Sequence, residues 1–338
     1  MKALILLGGL GTRLRPFTLK TPKSLLPVAN RPLITYQLAL LKKCGIDDIV
    51  LATGYKSRDF SRVLATARSL GMKVVVSEEE KPLGTAGAIR HAARFLKGAE
   101  PFLVFNGDSL ADFNLERIIS FHREHHAAAT ICLAKVGDPS SYGLVLLDKA
   151  SNVNRFIEKP KPEEIVADTI NAGLYVLSSD VLAAIPGNKP VSIERETFPF
   201  LMEKGKAVCG YVHHGYWLDV GTVASFRKAN FDVLEGRLAV PVPGPAVAAG
   251  TVLKGNGVVF GADVECRGRV IIGDGCFIGG KTVLEDVILF PDVSILSRSV
   301  VRKSIVGSGV SIGADCTIEN SVIADGSVLN DFSRTDFV

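Results

Sequence analysis

The sequence predicts an α/β domain built on a mixed, mostly parallel sheet, followed by a solenoid of short parallel strands. Three observations predict it. As far as Gly236, short apolar runs alternate with amphipathic stretches; a Pro, Ala and Gly-rich segment over 239–250 fits neither period; beyond it, apolar or small residues recur every six positions. In the first region 3–7, 49–53, 73–77 and 102–105 read as strands, and 33–44, 58–70 and 85–96 as the helices between them. Strand, helix, strand at this spacing gives βαβ units and parallel pairing. The runs 128–135, 143–147 and 170–177 are β-rich additions to the same sheet. The expected organisation is a first domain over 1–236, a linker over 237–251 and the repeat over 252–338.

In the repeat the periodic positions are Phe260, Cys266, Ile272, Ile278, Leu284, Phe290 and Leu296, with Gly261, Gly273 and Gly279 following three of them. The period slips there and resumes at Val300, Val306, Ile312 and Ile318. A sandwich of short strands would show period two, whereas period six stacks inward residues from turn to turn. The segment resembles the hexapeptide repeats of left-handed parallel β-helices.

Composition excludes several classes. The 338 residues are 47% hydrophobic and 22% charged, too apolar for disorder, and a net charge of +4 over this length makes no nucleic-acid face. Six cysteines lie far apart with no C-x-x-C, which argues against a disulfide framework or a zinc site and for buried thiols in a reducing cytoplasm. The apolar start stops at Gly8 and Gly9, too short for a signal peptide, and the uncharged run 238–253 holds Pro241, Pro243 and Pro245, so no membrane span is expected. His122, His125 and His126 imitate a metal cluster but read as a polar helix face, while His213 and His214, just before Tyr216 and Trp217, fit the lining of a ligand pocket and a solvent-exposed strand-end pair equally well.

The strongest chemical signal follows the first strand. Gly8, Gly9, Gly11 and Thr12 form a glycine-rich turn, with Arg13, Arg15 and Lys23 within eleven positions. Such a turn lets backbone N–H groups close on phosphate oxygens. A dinucleotide fingerprint would need Gly where Leu14 stands and an acid near Ala29 or Asn30; a P-loop would need Gly-Lys-Ser/Thr. Three cations suit a polyphosphate whose charge moves during reaction.

The run from Gly8 through Arg13, Pro16, Thr18 and Pro22 to Lys23 resembles the signature of sugar-1-phosphate nucleotidyltransferases. The resemblance continues through Leu83-Gly84-Thr85-Ala86-Gly87, Asn106-Gly107-Asp108, Tyr142-Gly143, Phe156 to Pro160, Asn171-Ala172-Gly173 and Trp217 to Gly221, and covers essentially the whole chain. It implies a Rossmann-like nucleotidyltransferase domain, a nucleoside triphosphate and a sugar 1-phosphate as substrates, and release of pyrophosphate. Within that group the chain looks most like the mannose-1-phosphate guanylyltransferases, with glucose 1-phosphate and dTTP, UTP or ATP as the alternative pair and a non-catalytic relative as a further one. The intact Arg13, Lys23, Asp108 and Asp219 weigh against the last.

The resemblance also implies roles. Mg²⁺ on the α-phosphate falls to Asp108 and Asp219. Arg13 would fork onto the β and γ phosphates and Lys23 meet the α-phosphate and sugar phosphate. Lys159 would meet the sugar phosphate, and Glu158, Asn171 and Gly143 the sugar hydroxyls. The nucleotide pocket would comprise Leu6, Gly8, Gly9, Gly11, Thr12, Leu83, Gly84, Thr85 and Asn106, with Gly84 letting the backbone approach the base. Glu79, within Glu78-Glu79-Glu80, would read guanine, whose N1–H and N2–H₂ are adjacent donors for one carboxylate. All six histidines precede the repeat, which therefore lacks the histidine of an acyltransferase helix and is expected to pack on the first domain and mediate homo-oligomerisation, or to carry a regulatory site.

Overall fold

The structure is a computed structural model that describes residues 1–9, 11–54, 60–187, 189–240 and 251–336. Residues 241–250 of the expected linker, residues 58–59 of the second expected helix, and Leu10 lie outside the described residues. The chain forms two compact units: Met1–Gly9 with Tyr36–Trp217, and Leu10–Thr35 with Leu218–Val338.

In the first unit a nine-stranded sheet runs in the order Val153–Glu158, Gly143–Leu147, Thr169–Leu177, Phe102–Asn106, Lys2–Leu6, Asp48–Thr53, Lys73–Glu78, with Ala129–Lys135 pairing Thr169–Leu177 and Val208–Val212. Lys2–Leu6 pairs parallel with Asp48–Thr53 on one side and Phe102–Asn106 on the other. Both faces of these strands are covered, so Ala3, Leu4, Ile5 and Phe102 to Phe105 are all fully buried and read as unbroken apolar runs. Thr169–Leu177 joins antiparallel, so the sheet is mixed as expected. The parallel strands end on one edge at Leu6, Thr53, Glu78 and Asn106, the edge where α/β sheets bind ligands. The helix expected over 85–96 is two, Gly84–His91 and Ala93–Leu96. At Ala92 the ladder tightens, Phe95 N donating to Ala92 O, an i to i−3 bond that breaks the α-helical repeat.

His122 departs from the polar helix face expected of it. It is 3% exposed, with Nδ1 2.9 Å from Thr130 Oγ1 and Nε2 3.4 Å from Ser178 Oγ. Burial lowers its pKa to about 4. The unfolded chain therefore takes up this proton first as pH falls below about 6.5, and stability is lost between there and about 4, in all about 3 kcal/mol. Urea unfolding of the parent should weaken across that window, and His122→Gln should remove this part of the slope; an unchanged slope would refute the assignment.

The second unit holds a three-sided parallel β-helix. One side stacks Val259–Phe260, Phe277–Ile278, Ser294–Ile295, Ser311–Ile312 and Val328–Leu329. The expected inward row holds through Leu284, is out of phase at Phe290, Leu296 and Val300, and holds again at Val306, Ile312 and Ile318. Ile272 stacks on Leu289, Ile278 on Ile295 and Leu284 on Val301, all fully buried, while Leu296 is 45% exposed and Val300 half-buried. The coil offset is 18 residues at Asn256 and Asp274 and 17 from Arg269 to Asp286 onward. One corner is thus a residue shorter than the others, and Asp286, Lys303 and Asn320 stack there with positive φ. Phe290 is buried from outside, its ring 4.9 Å from Phe17 and 5.9 Å from Phe226. Neighbouring coils approach so closely that a Cβ on Gly261, Gly273 or Gly279 would lie 2.4 to 2.5 Å from a backbone nitrogen of the next coil.

The side carrying Ile271, Ile288 and Ile305 is covered within this unit by the helix Val223–Leu234. Arg227 donates to Lys303 O at 2.6 Å, and the Arg269 guanidinium stands 4.3 Å from the Phe231 ring centre. Thr222 caps that helix, its Oγ1 accepting from Ser225 N. All six cysteines are unpaired; Cys132, Cys209, Cys276 and Cys316 are buried, and Cys44 and Cys266 half-buried.

Candidate functional site

The site residues of the first unit gather at the carboxyl edge of its sheet. Beyond Lys2–Leu6 the chain turns at Gly8 and Gly9, where an added Cβ would meet nothing within 4 Å, so the backbone there lies open to a ligand. Gly107 N donates to Leu6 O at 2.9 Å, and Gln37 Nε2 brackets the following turn by donating to Asn106 O and Ser109 O. Asp108 is held half-exposed at that turn. Asn106 Oδ1 is buried and has no hydrogen-bond partner among the described residues. In a site already implicated, an acceptor of this kind is suited to a ligand donor.

The three consecutive glutamates separate. Glu78 and Glu80 are exposed, whereas Glu79 is 7% exposed and its Oε2 accepts from Leu83 N at 3.0 Å. Burial raises its pKa. Glu79 therefore shapes the turn into Gly84–His91. Gly84 has φ +71°, and a Cβ there would sit 2.6 Å from Val191 O. That left-handed conformation and that close backbone approach are enough to require glycine here. Thr85 Oγ1 likewise is engaged within the protein, donating to Glu194 Oε2 and accepting from Ile193 N.

At the other side of the sheet Gly143 pairs with Glu158, and a Cβ on Gly143 would meet the Phe156 ring at 2.6 Å and Glu158 Oε2 at 3.0 Å. Lys159 has φ +51° and its N–H donates to Tyr142 O. Both Glu158 and Lys159 are exposed, with Arg195 Nη2 3.8 Å from Glu158 Oε1. Asn171 donates from Nδ2 to Tyr175 Oη at 2.7 Å and accepts at Oδ1 from Gly173 N. Trp217 Nε1 donates to Ala172 O, and its ring meets Tyr142 edge-on at 5.5 Å. His213 is buried, with Nε2 3.1 Å from Asp112 Oδ1.

The second unit assembles the cations. Gly11, at φ +58°, opens the short turn Thr12–Leu14, and its carbonyl accepts from Thr18 Oγ1 at 2.7 Å. Phe17 anchors this loop against Phe226 and Phe290, and Ala29 N donates to the buried Asn230 Oδ1. Lys23 Nζ stands 3.7 Å from Asp219 Oδ1, their side chains 11% and 24% exposed. A Cβ on Gly221 would lie 2.6 Å from Asp219 Oδ2 and 3.0 Å from Arg13 Nη2. Arg13, Lys23 and Asp219 are thus brought together around Gly221, which leaves them room. Sequence reasoning missed the part played by Gly221, and missed Tyr175 and Glu194 altogether. A positive charge pair beside one carboxylate can bind polyphosphate oxygens and a divalent ion together. No group of three His, Cys, Asp or Glu placed to hold a metal occurs among the described residues, and no helix there is long and apolar enough to cross a membrane.

A nucleotidyl transferase family model matches residues 2–236, and a GMPPB C-terminal domain model matches 248–333. A mannose-1-phosphate guanylyltransferase of Mycobacterium tuberculosis is 37% identical over 302 residues, 89% of this chain and 83% of its own length. Mannose-1-phosphate guanylyltransferase 1 of Arabidopsis thaliana is 35% identical over 330 residues, 96% of this chain and 90% of its own. Among solved structures, HddC from Yersinia pseudotuberculosis complexed with GMP-PN superposes with a TM-score of 0.58 at 28% identity, covering 68% of this chain and 97% of that one.

Proposed function

The chain belongs to the nucleotidyl transferase family, and we propose that it joins GTP to mannose 1-phosphate, giving GDP-mannose and pyrophosphate. The observation that carries the transfer chemistry is the cluster of Arg13, Lys23 and Asp219 around Gly221. A phosphate oxygen of the sugar 1-phosphate attacks the α-phosphorus; the new P–O bond forms as the α–β bridging P–O bond breaks, and its electron pair leaves on pyrophosphate. The attacking phosphate is ionised at neutral pH, so no general base is needed. Arg13 holds the departing charge with its forked guanidinium, and Lys23 offsets the repulsion between the two anions at the α-phosphate. Glu158, Asn171 and Gly143 are assigned to the sugar and Lys159 to its phosphate.

Mg²⁺ is the cofactor of this reading, and Asp108 and Asp219 are its candidate ligands. Two carboxylates fit an ion that keeps waters and substrate phosphates in its shell, and it would supply neutralisation of the phosphate charge. The guanine preference rests on Glu79, the one buried member of its acidic run. The β-helix is assigned a role in homo-oligomerisation, supported by the uncharged outward residues Val259, Phe277 and Val328 on one side. Unpaired thiols suit a reducing cytoplasm.

The test is pyrophosphate release with Mg²⁺, crossing GTP, dTTP, UTP and ATP with mannose 1-phosphate and glucose 1-phosphate. A dominant signal for GTP with mannose 1-phosphate is expected. Glu79→Gln should narrow the preference for GTP over dTTP by about tenfold, the worth of one charged hydrogen bond. A dominant signal in another pair would transfer the substrate assignment to that pair.

A further inference from the structure

Glu194 belongs to none of the motifs that marked the site, yet three of them converge on it. Its Oε2 accepts from Thr85 Oγ1 and Ser192 Oγ, and its Oε1 accepts from Tyr175 Oη at 3.0 Å. Tyr175 is fully buried and takes Asn171 Nδ2 at 2.7 Å, with Asn106 also hydrogen-bonding to the same oxygen. The glycine turn at Thr85, the strand end at Asn106 and the bulged strand at Asn171 are therefore tied to one carboxyl group through one phenol.

The direction of these bonds matters as much as their number. Because the phenol hydrogen is given to Glu194, the phenol oxygen can only accept from its other neighbours. Asn171 must then turn its NH₂, not its carbonyl, towards Tyr175. Its Oδ1 is engaged by Gly173 N, and Gly173 is held at φ +76°, where a Cβ would stand 2.9 Å from Asn106 Cβ. This leaves the second N–H of the Asn171 amide as the group on offer to a substrate oxygen.

We propose that Glu194, acting through Tyr175, is a positioning residue that fixes the amide orientation of Asn171 and so the recognition of a sugar hydroxyl. The inference rests on the sugar 1-phosphate reading given above and deepens it. Tyr175→Phe and Glu194→Ala each release the amide to rotate. Glu194→Gln keeps an acceptor for the phenol and should restore the order.

The measurement is steady-state kinetics of the full chain with each substrate varied in turn, together with ¹⁵N-resolved side-chain amide spectra of the ligand-free protein, Asn171 being assigned by its loss in Asn171→Ala. Tyr175→Phe and Glu194→Ala are expected to raise KM for the sugar 1-phosphate about tenfold, with KM for the triphosphate within about twofold, and to shift the Asn171 amide pair. Glu194→Gln should stay within about threefold of the parent on the same hydrogen-bond scale. A parent-like KM and an unmoved amide pair in Glu194→Ala would overturn the proposal, even if Tyr175→Phe fails to fold. If the parent itself releases no pyrophosphate with any substrate pair, the functional reading falls, and the amide spectra alone decide whether Glu194 orients Asn171.

Discussion

Lys23→Met lowers the turnover of pyrophosphate release about a thousandfold while moving the unfolding midpoint by only a few degrees. The reason lies in what the ammonium faces. Lys23 Nζ is 3.7 Å from Asp219 Oδ1 on a side chain only 11% exposed, beside the Arg13 guanidinium across Gly221. A group so placed acts in poor solvent, where charge that develops on phosphate oxygens is stabilised far more than in water. The pair with Asp219 is loose at 3.7 Å and Asp219 keeps 24% of its side chain in solvent, so its loss costs folding far less than it costs turnover. Lys23→Arg should not restore the rate, because a planar fork needs more width than a point charge in the same place. Asp219→Asn should also be severe, and the double variant should be less than additive, since the two side chains share one task. Retention of more than a tenth of the parent turnover in Lys23→Met would remove Lys23 from the chemistry.

The parts of this protein that sequence makes legible are those whose cause is local. Central strands covered on both faces must be apolar throughout, and 3–7 and 102–105 stand out for that reason. The glycine turn and its cations stand out because both arise from backbone freedom and charge at fixed spacing. The β-helix declares its period in the same way, but not its phase. Phe290 satisfies a six-residue count as well as Leu289 does, and it is buried too, against Phe17 and Phe226 on the outside. The stacking of Leu289 between Ile272 and Val306 decides between them. The same limit separates Glu79 from Glu78 and Glu80, whose burial is set at a strand end by what the turn folds over it. Glu194 and His122 lie furthest from sequence reasoning. Their roles consist of contacts with Thr85, Tyr175, Thr130 and Ser178, residues that the fold alone makes their neighbours.

Gly107→Ala is expected to cost about 2–4 kcal/mol of stability, the range of an overpacked core site, and to abolish turnover with it. A Cβ at this position would lie 2.3 Å from Leu7 Cδ2 and 2.6 Å from Leu6 O. The leucine tip could swing aside, but the carbonyl could not. Leu6 is the last residue of a strand paired on both sides, with Ala52 and with Asn106, and its oxygen already accepts from Gly107 N. Relief must therefore come from the turn itself, which would carry Asn106 and Asp108 away from the sheet edge. The informative contrast is with Gly8→Ala and Gly9→Ala, where the added methyl meets nothing within 4 Å. Those variants should unfold like the parent in urea yet lose activity, because in the proposed reaction the triphosphate would occupy the space their backbone leaves open. If Gly107→Ala proved as stable as Gly8→Ala, the turn at Asn106 would have to be far softer than its two-sided pairing implies.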